Sequence, residues 1–418
     1  MSTKLQRHKL SSLIEVKRGQ SISGEYYASE GVHIRLTLAN FDYINGGFKV
    51  DSQKDDLFYT GPIKPECLLK EGDIITPLTE QALGLLGSTA RIPESGKYVQ
   101  SGDIALVTCK EGLLDPNFCY YLLPSKQVKK QLAAGSQQTK IRHTSPDAIK
   151  ACVVDIPDFE QQKKIGKYLS LLDRKISLNR AINKNLEALA KQIYDYWFVQ
   201  FDFPDENGRP YKSSGGKMVW NEKLKREIPI DWEVVKLSDY LKVYIDKISP
   251  TDVKEDDRYA PIEVIPRHKM SFSEFAPIEN AVSGLCRFKR KHILLSNRRV
   301  YFHKVCIAAF DGLTRDTVII MEPLSGNNLA YSYQLVNDDV FIEYATRNSY
   351  GSEQPVFSWE GARNYNVLKP SDNLDIRYSD FINPIIEGVL RNEVEIETLI
   401  KLRNELLPLL MNGQVTIE

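Results

Sequence analysis

Residues 159–200, FEQQKKIGKYLSLLDRKISLNRAINKNLEALAKQIYDYWFVQ, hold a single glycine, Gly166, and no proline. Apolar side chains recur along them at alternating steps of three and four. The series runs Ile165, Leu169, Leu172 and Ile176, then Leu186, Ala190, Ile193 and Trp197, with Asn179 and Asn183 in the two intervening positions. That period draws one continuous stripe along a helix and leaves the stripe needing a partner over its length. About 40 residues rising 1.5 Å each give a helix of roughly 60 Å. Asp158 is placed to cap it, and Gln161, three residues on, completes a capping-box spacing. Two amides in an apolar seam cost stability and hold register.

A second stripe closes the chain. From Tyr378 to about Leu410 it reads Phe381, Ile385, Val389, Asn392, Ile396, Leu399, Leu406 and Leu410, and Asn412-Gly413 then stops it. Pro408 should end or kink the last turn. Two seamed helices can satisfy each other as an antiparallel pair. The segments before them repeat as well. Lys9-Leu10-Ser11 matches Lys236-Leu237-Ser238, and Gly135-Ser136-Gln137-Gln138 matches Gly351-Ser352-Glu353-Gln354. Short β-like runs separated by Gly, Pro, Asn and Asp fill both halves, such as 34–38, 104–108, 306–310 and 317–321. The expected class is α+β, a duplicated globular body alternating with long helices. The boundaries are residues 1–157 for the first domain, 158–200 for the first helix, 201–229 for a linker, 230–372 for the second domain and 373–418 for the second helix. The linker reading rests on the Pro, Gly and Ser content of the stretch after Phe201.

The 418 residues are 42% apolar and 26% charged, enough to bury real cores. Lys plus Arg and Asp plus Glu number 55 each, so the net charge is zero, which excludes a uniformly basic glove for nucleic acid but not local basic patches. No run of 18 apolar residues exists and the first residues have no apolar core, so neither a membrane span nor a signal peptide is expected. The six cysteines are scattered without a CxxC, which fits reduced thiols in a cytoplasm, and the six histidines show no HxxxH pairing, so no metal is expected.

Catalytic motifs are missing. Gly215-Gly216-Lys217 resembles the end of a phosphate loop, but Tyr211 and Met218 stand where that loop needs Gly and Ser or Thr. Asp158 and Glu160 read as acids at a helix start rather than as a nuclease pair. There is no GxSxG and no Gly-rich dinucleotide loop. Charge tells more. From Gly284 to Lys304 the chain carries Arg287, Lys289, Arg290, Lys291, Arg298, Arg299 and Lys304 with His292 and His303, no acid, and Phe288, Tyr301 and Phe302 interleaved. Such a run, with Asn297 in it, suits a surface that follows phosphates and reaches base edges; otherwise it is a solvated basic hairpin. A milder counterpart in the first half holds Gln137, Gln138, Lys140, Arg142 and His143, which either contact bases or cap strand ends. Lys17, Arg18 and Gln20, and Thr76, Thr79 and Gln81, are further DNA-contact candidates. The aromatic cluster Tyr194, Tyr196, Trp197, Phe198 and Phe201 reads as core at the helix end.

Several motifs together resemble the specificity subunit of a type I DNA restriction–modification system, over nearly the whole length. They are Ile156-Pro157-Asp158 through Glu160-Gln161-Gln162-Lys163-Lys164-Ile165, Leu172-Asp173-Arg174-Lys175-Ile176, Ile193-Tyr194-Asp195-Tyr196-Trp197-Phe198, and the connector Asn207-Gly208-Arg209-Pro210-Tyr211 to Gly216-Lys217-Met218 with Ile228-Pro229. Gly72-Asp73-Ile74-Ile75 and Ile293-Leu294-Leu295-Ser296 resemble strands of such a subunit's two target-recognition domains. The chain departs from the family at Asp246, where a Gly is usual, at Arg290-Lys291-His292, and at Tyr378-Ser379-Asp380, where the second helix lacks a Glu-Gln start.

The resemblance implies two target-recognition domains joined by two long antiparallel coiled-coil helices, each domain reading half of a split double-stranded DNA target. It implies that the helices, through Ile165, Leu169, Leu172, Ile176, Leu186, Ile193, Ile385, Val389, Ile396, Leu399 and Leu406, set the gap and dock two adenine-methylating modification subunits. Restriction subunits then join. The chain itself has no active site and holds no cofactor, while S-adenosylmethionine, ATP and Mg2+ belong to partner subunits. The rival expectations are a nuclease or methyltransferase with atypical motifs, which would act on DNA alone, and a protein-only coiled-coil adaptor, which would not retain DNA.

Overall fold

The computed structural model describes residues 4–42, 46–49, 57–80, 84–135, 142–370 and 373–417. The chain forms two compact units, residues 1–174 with 399–418, and residues 175–398.

In the first unit Gln6–Lys9 pairs antiparallel with Val153–Ile156, the strand that leads straight into the first long helix. A four-stranded antiparallel sheet follows the order Ile14–Arg18, Ile104–Cys109, Ile74–Pro77, Ala90–Arg91. Taken along the chain, that is strand order 1-4-2-3. The short helices Pro116–Leu122 and Pro146–Ala151 cover it, each started by a proline and capped by Asp115 or Ser145. Leu10, Ile14, Phe118, Leu122, Ile149 and Val154 bury against Ile165 and Leu169 of the first long helix and Leu410 and Met411 of the second.

The second unit repeats this plan. Glu233–Lys236 pairs with Asn366–Lys369, again just before a long helix. Its antiparallel sheet runs Leu241–Val243, Val318–Pro323, Ile293–Ser296, Val305–Ile307, the same 1-4-2-3 order. Leu329–Asn337, Asp339–Arg347 and the Ser358-capped helix Trp359–Arg363 occupy the places of the first unit's helices. The α+β class and the duplication expected from the sequence are both present.

The long helices span Phe159–Tyr194 and Leu374–Met411. Asp158 Oδ1 accepts the Gln161 N–H at 2.9 Å, but the reciprocal half of the capping box is not made, because Gln161 Oε1 is left without a partner. Gly166 is glycine for a steric reason. A Cβ there would stand 2.6 Å from Phe118 N and 2.7 Å from Asp115 Oδ1, at the capped end of the helix Pro116–Leu122.

The helices pair antiparallel within each unit. In the first, Arg403 Nη1 donates to Asp173 Oδ1 at 2.7 Å, and Asp173 also accepts the Tyr121 hydroxyl at 2.5 Å. In the second, Asn183 lies against Asn392 and Glu393, Asn179 against Glu395, Leu186 against Gly388, and Ala190 against Tyr378. Ile165, Leu169, Leu172, Ile176, Val389, Ile396 and Leu399 are buried, while Leu186, Ile193, Ile385 and Leu406 pack half-buried.

Three expectations need correction. The second helix starts at Leu374, next to the expected boundary at 373, but its buried stripe there runs through Tyr378, Ile382 and Ile386, with Phe381 60% exposed. The helix also passes through Pro408 to Met411, and Gly413 (φ 66°) ends it. The 201–229 stretch is no open linker. Phe203 stacks between Tyr211 (4.7 Å) and Trp232 (5.3 Å), and Met218–Asn221 pairs with Arg226–Pro229. Its Gly and Pro residues serve tight turns in a folded lobe.

Where the first helix meets the second unit, Glu187 is largely enclosed. Burial pushes its carboxyl up to about 7, a backbone hydrogen bond from Met270 opposes the rise, and nearby Glu393 adds to it. A raised carboxyl pKa means that the neutral form suits the fold, so this contribution is full at low pH and is lost as pH rises through 7. Glu187→Gln is therefore expected to raise stability by about 2 kcal/mol at pH 8 and scarcely at pH 5. Thermal melting at the two pH values checks it; equal shifts at both would reject the assignment.

Candidate nucleic-acid interface

The sheet of the first unit brings three separate candidate segments to one end. Ala105 stands between Arg18 and Thr76 on a single rung, and the chain beyond them converges with Gly102-Asp103. Arg18 Nε donates to Gly102 O at 2.7 Å. Thr79 Oγ1 donates to Asp103 Oδ1 at 2.9 Å and lies 3.3 Å from His143 Nδ1. Thr79–Glu80 pairs with Arg142–His143, and Arg142 Nη1 sits 3.6 Å from the buried Glu80 carboxylate. Glu80 in turn accepts the Gly84 N–H at 2.8 Å. Lys17 and His143 are exposed.

Three of these candidates are interior, and Thr79, itself buried, spends its hydroxyl on Asp103. Thr76 is 1% exposed and gives its hydroxyl to Ser88 O. Gln20 is buried as a clamp, donating to Pro62 O at 2.8 Å and accepting the Lys64 N–H at 2.8 Å. All three hold the sheet end together and offer nothing to a ligand. Gln81, Gln137, Gln138 and Lys140 lie outside the described residues.

The basic run of the second unit is divided by its own fold. Leu285–Phe288 and Ile293–Ser296 are joined by a turn with Lys291 at φ 72°. Four residues of strand at about 3.3 Å each separate that turn from Asn297. At the turn, Arg290 and Lys291 both reach Glu387 of the second helix at 2.5 Å. Burial raises the Glu387 carboxyl, but hydrogen bonds from the two cations outweigh it and bring it below its ordinary value. Those two candidates therefore belong to an internal ion-pair cluster. Lys304 donates to Ile262 O, and His292 and His303 are buried, with burial driving His292 toward its neutral form. Arg287 and Lys289 stay exposed, the latter 5.7 Å over the Tyr244 ring.

At the far end, Asn297 Nδ2 donates to Asp316 O at 2.9 Å, and Arg299 N–H donates to Pro355 O at 2.9 Å. Arg299 (φ 49°) and His303 (φ 49°) flank the single turn Val300–Phe302, and Tyr301 is 49% exposed. Left-handed backbone at two non-glycine residues is uncommon and gathers at functional sites. The Arg298 guanidinium has no partner among the described residues. Sequence reading missed the hairpin closed by Tyr350 and Val356, which lies against this loop through the Arg298–Val356 bridge. Its only sequence signal was the Gly351-Ser352 landmark shared with the first half.

Among the described residues no cluster of His, Cys, Asp and Glu could hold a metal ion, and no helix is long and apolar enough to cross a membrane. Residues 4–188 match the family described as the type I restriction modification DNA specificity domain. The chain is similar in sequence to specificity subunits of type I restriction–modification systems. It is 23% identical over 332 residues to the MjaIX specificity subunit of Methanocaldococcus jannaschii, covering 74% of this chain and 71% of that one. It is 32% identical over 107 residues to the HindI specificity subunit of Haemophilus influenzae, covering 25% of this chain and 23% of that one. The crystal structure of a type I restriction–modification S subunit from M. genitalium shares its fold at a TM-score of 0.60 and 15% identity, covering 98% of this chain and 96% of that one.

Proposed function

We propose that the chain is the DNA-recognition subunit of a type I restriction–modification complex, reading a bipartite double-stranded target with one half assigned to each unit. The observation that carries this reading is the repeated 1-4-2-3 sheet, which ends in both units in a polar, partly cationic loop cluster. Two copies of one reading head on one chain suit a target of two parts. The chain carries out no chemistry of its own. It assembles with two modification subunits, which methylate adenine using S-adenosylmethionine, and with restriction subunits, which use ATP and Mg2+. The complex works in the cytoplasm. Lys and Arg contacts to phosphate supply affinity, and side chains that reach base edges supply specificity.

The test is salt dependence. Replacing Arg298 and Arg299 with Ala is expected to weaken DNA binding by the assembled complex about tenfold and to flatten the slope of log K against log salt by one to two. Replacing Arg290 and Lys291 with Ala should leave that slope unchanged, because those cations already face Glu387. Equal slopes for wild type and the Arg298/Arg299 variant would reject the interface.

A further inference from the structure

Both units contain the same three-way backbone junction. In the first, Leu78 N–H donates to Asp103 O (2.7 Å), Thr144 N–H donates to Leu78 O (2.8 Å), and Ser145 then caps the next helix. In the second, Asn297 N–H donates to Thr317 O (2.9 Å), Phe357 N–H donates to Asn297 O (2.8 Å), and Ser358 caps the next helix. The neighbouring residues keep the match: Glu80 opposes Arg142 in one unit, and Arg299 bonds Pro355 in the other.

The side chains hung on this shared backbone differ completely. The first unit presents Arg142 and His143 over the buried Thr79, beside two carboxylates, Glu80 and Asp103. The second presents Arg298 and Arg299 beside the Tyr350–Val356 hairpin, closed by reciprocal backbone bonds of 3.0 and 2.8 Å and turned at Gly351 (φ 99°). Tyr350 is 65% exposed, and Glu353 and Gln354 at the tip are exposed too. Packing gives Tyr350 and Gln354 no structural task.

We infer that this junction is the specificity-determining element of each unit, with Tyr350 and Gln354 choosing bases in one half of the split target and His143 choosing bases in the other. The inference rests on the DNA-recognition reading above. A constant backbone fixes where a side chain meets the duplex, and the side chain then decides which base is accepted. Gln pairs bidentately with adenine and Arg with guanine, while an aromatic ring contacts the thymine methyl. A head duplicated to address two different sequences must keep the first property and vary the second, as these junctions do.

The test uses the full chain co-expressed with its modification subunits, with adenine methylation mapped across the host genome. Wild type is expected to give one split motif. Tyr350→Ala and Gln354→Ala should each relax base preference about tenfold at positions within a single half, with the other half and the gap unchanged. His143→Ala should relax the opposite half only. Wild-type preference in all three variants, or changes in both halves from any one of them, overturns the inference. So does loss of methylation by Tyr350→Ala when Gln354→Ala keeps the wild-type motif. If wild type itself yields no split motif, the DNA-recognition reading fails and the junction assignment falls with it.

Discussion

Replacing Asn183 with alanine is expected to destabilise the chain by about 3 kcal/mol. Asn183 is buried in the seam of the first helix. It donates from Nδ2 to Glu393 Oε1 at 2.8 Å and accepts Asn392 Nδ2 at 2.8 Å. Alanine removes one amide and strands two polar groups, one of them a carboxylate that is itself buried. The loss of partners for enclosed groups dominates, since a hydrogen bond to a charge is worth about 1.5–3 kcal/mol and an unsatisfied group adds its own desolvation. The companion variant replaces Asn183, Asn392 and Glu393 together with leucine. It should recover most of that stability, because an apolar layer of similar volume replaces a polar one at little cost. Urea denaturation measures both. A loss under 1 kcal/mol for the single variant would mean that water reaches the cluster.

The second large effect lies at the end of the same helix. Phe198→Ala is expected to cost about 3–5 kcal/mol, whereas Tyr196→Ala two residues away should stay within about 0.5 kcal/mol. Phe198 sits in a widened helical turn, Asp195–Val199, with its ring centroid 4.7 Å from Tyr331, 5.1 Å from Tyr378 and 5.8 Å from Trp232. Truncation would open a cavity walled by rigid rings that cannot collapse into it. Tyr196 points outward from the same turn and is exposed. Comparable losses for the two variants would remove Phe198 from its central place in that core.

The pairing of Asn183 was half legible. A period of 3.5 put Asn179 and Asn183 in an apolar seam, and only a partner on a facing helix justifies that. The identity of the partner was not legible, because Glu393 lies 210 residues away and carries no local mark of its role. Phe381 shows the same limit. A seam read from period alone placed it inside, but the second helix turns its Tyr378, Ile382 and Ile386 face to the unit's core. Once a helix leaves its coiled partner for a globular body, the buried face need not continue the heptad.

The basic run from Gly284 to Lys304 was legible as composition and misleading as a surface. It contains no acid, yet Glu387 from 97 residues away neutralises Arg290 and Lys291. The Ile262 carbonyl and the Asn337 carboxamide occupy Lys304 and His303. Likewise Gln20 and Thr76 have base-reading side chains by type, but they close hydrogen bonds inside the sheet end.

Local physics was enough for the outline. Helix periodicity, capping residues and turn punctuation depend on neighbours within a few positions, so the long helices, the duplication and the α+β class could be read directly from the residue order. The strand order, the folded connector, the charges left free to meet a ligand and the matched junctions at Leu78 and Asn297 could not. Each depends on which distant groups the chain brings within 3 Å, a property of closure in three dimensions that no local pattern encodes.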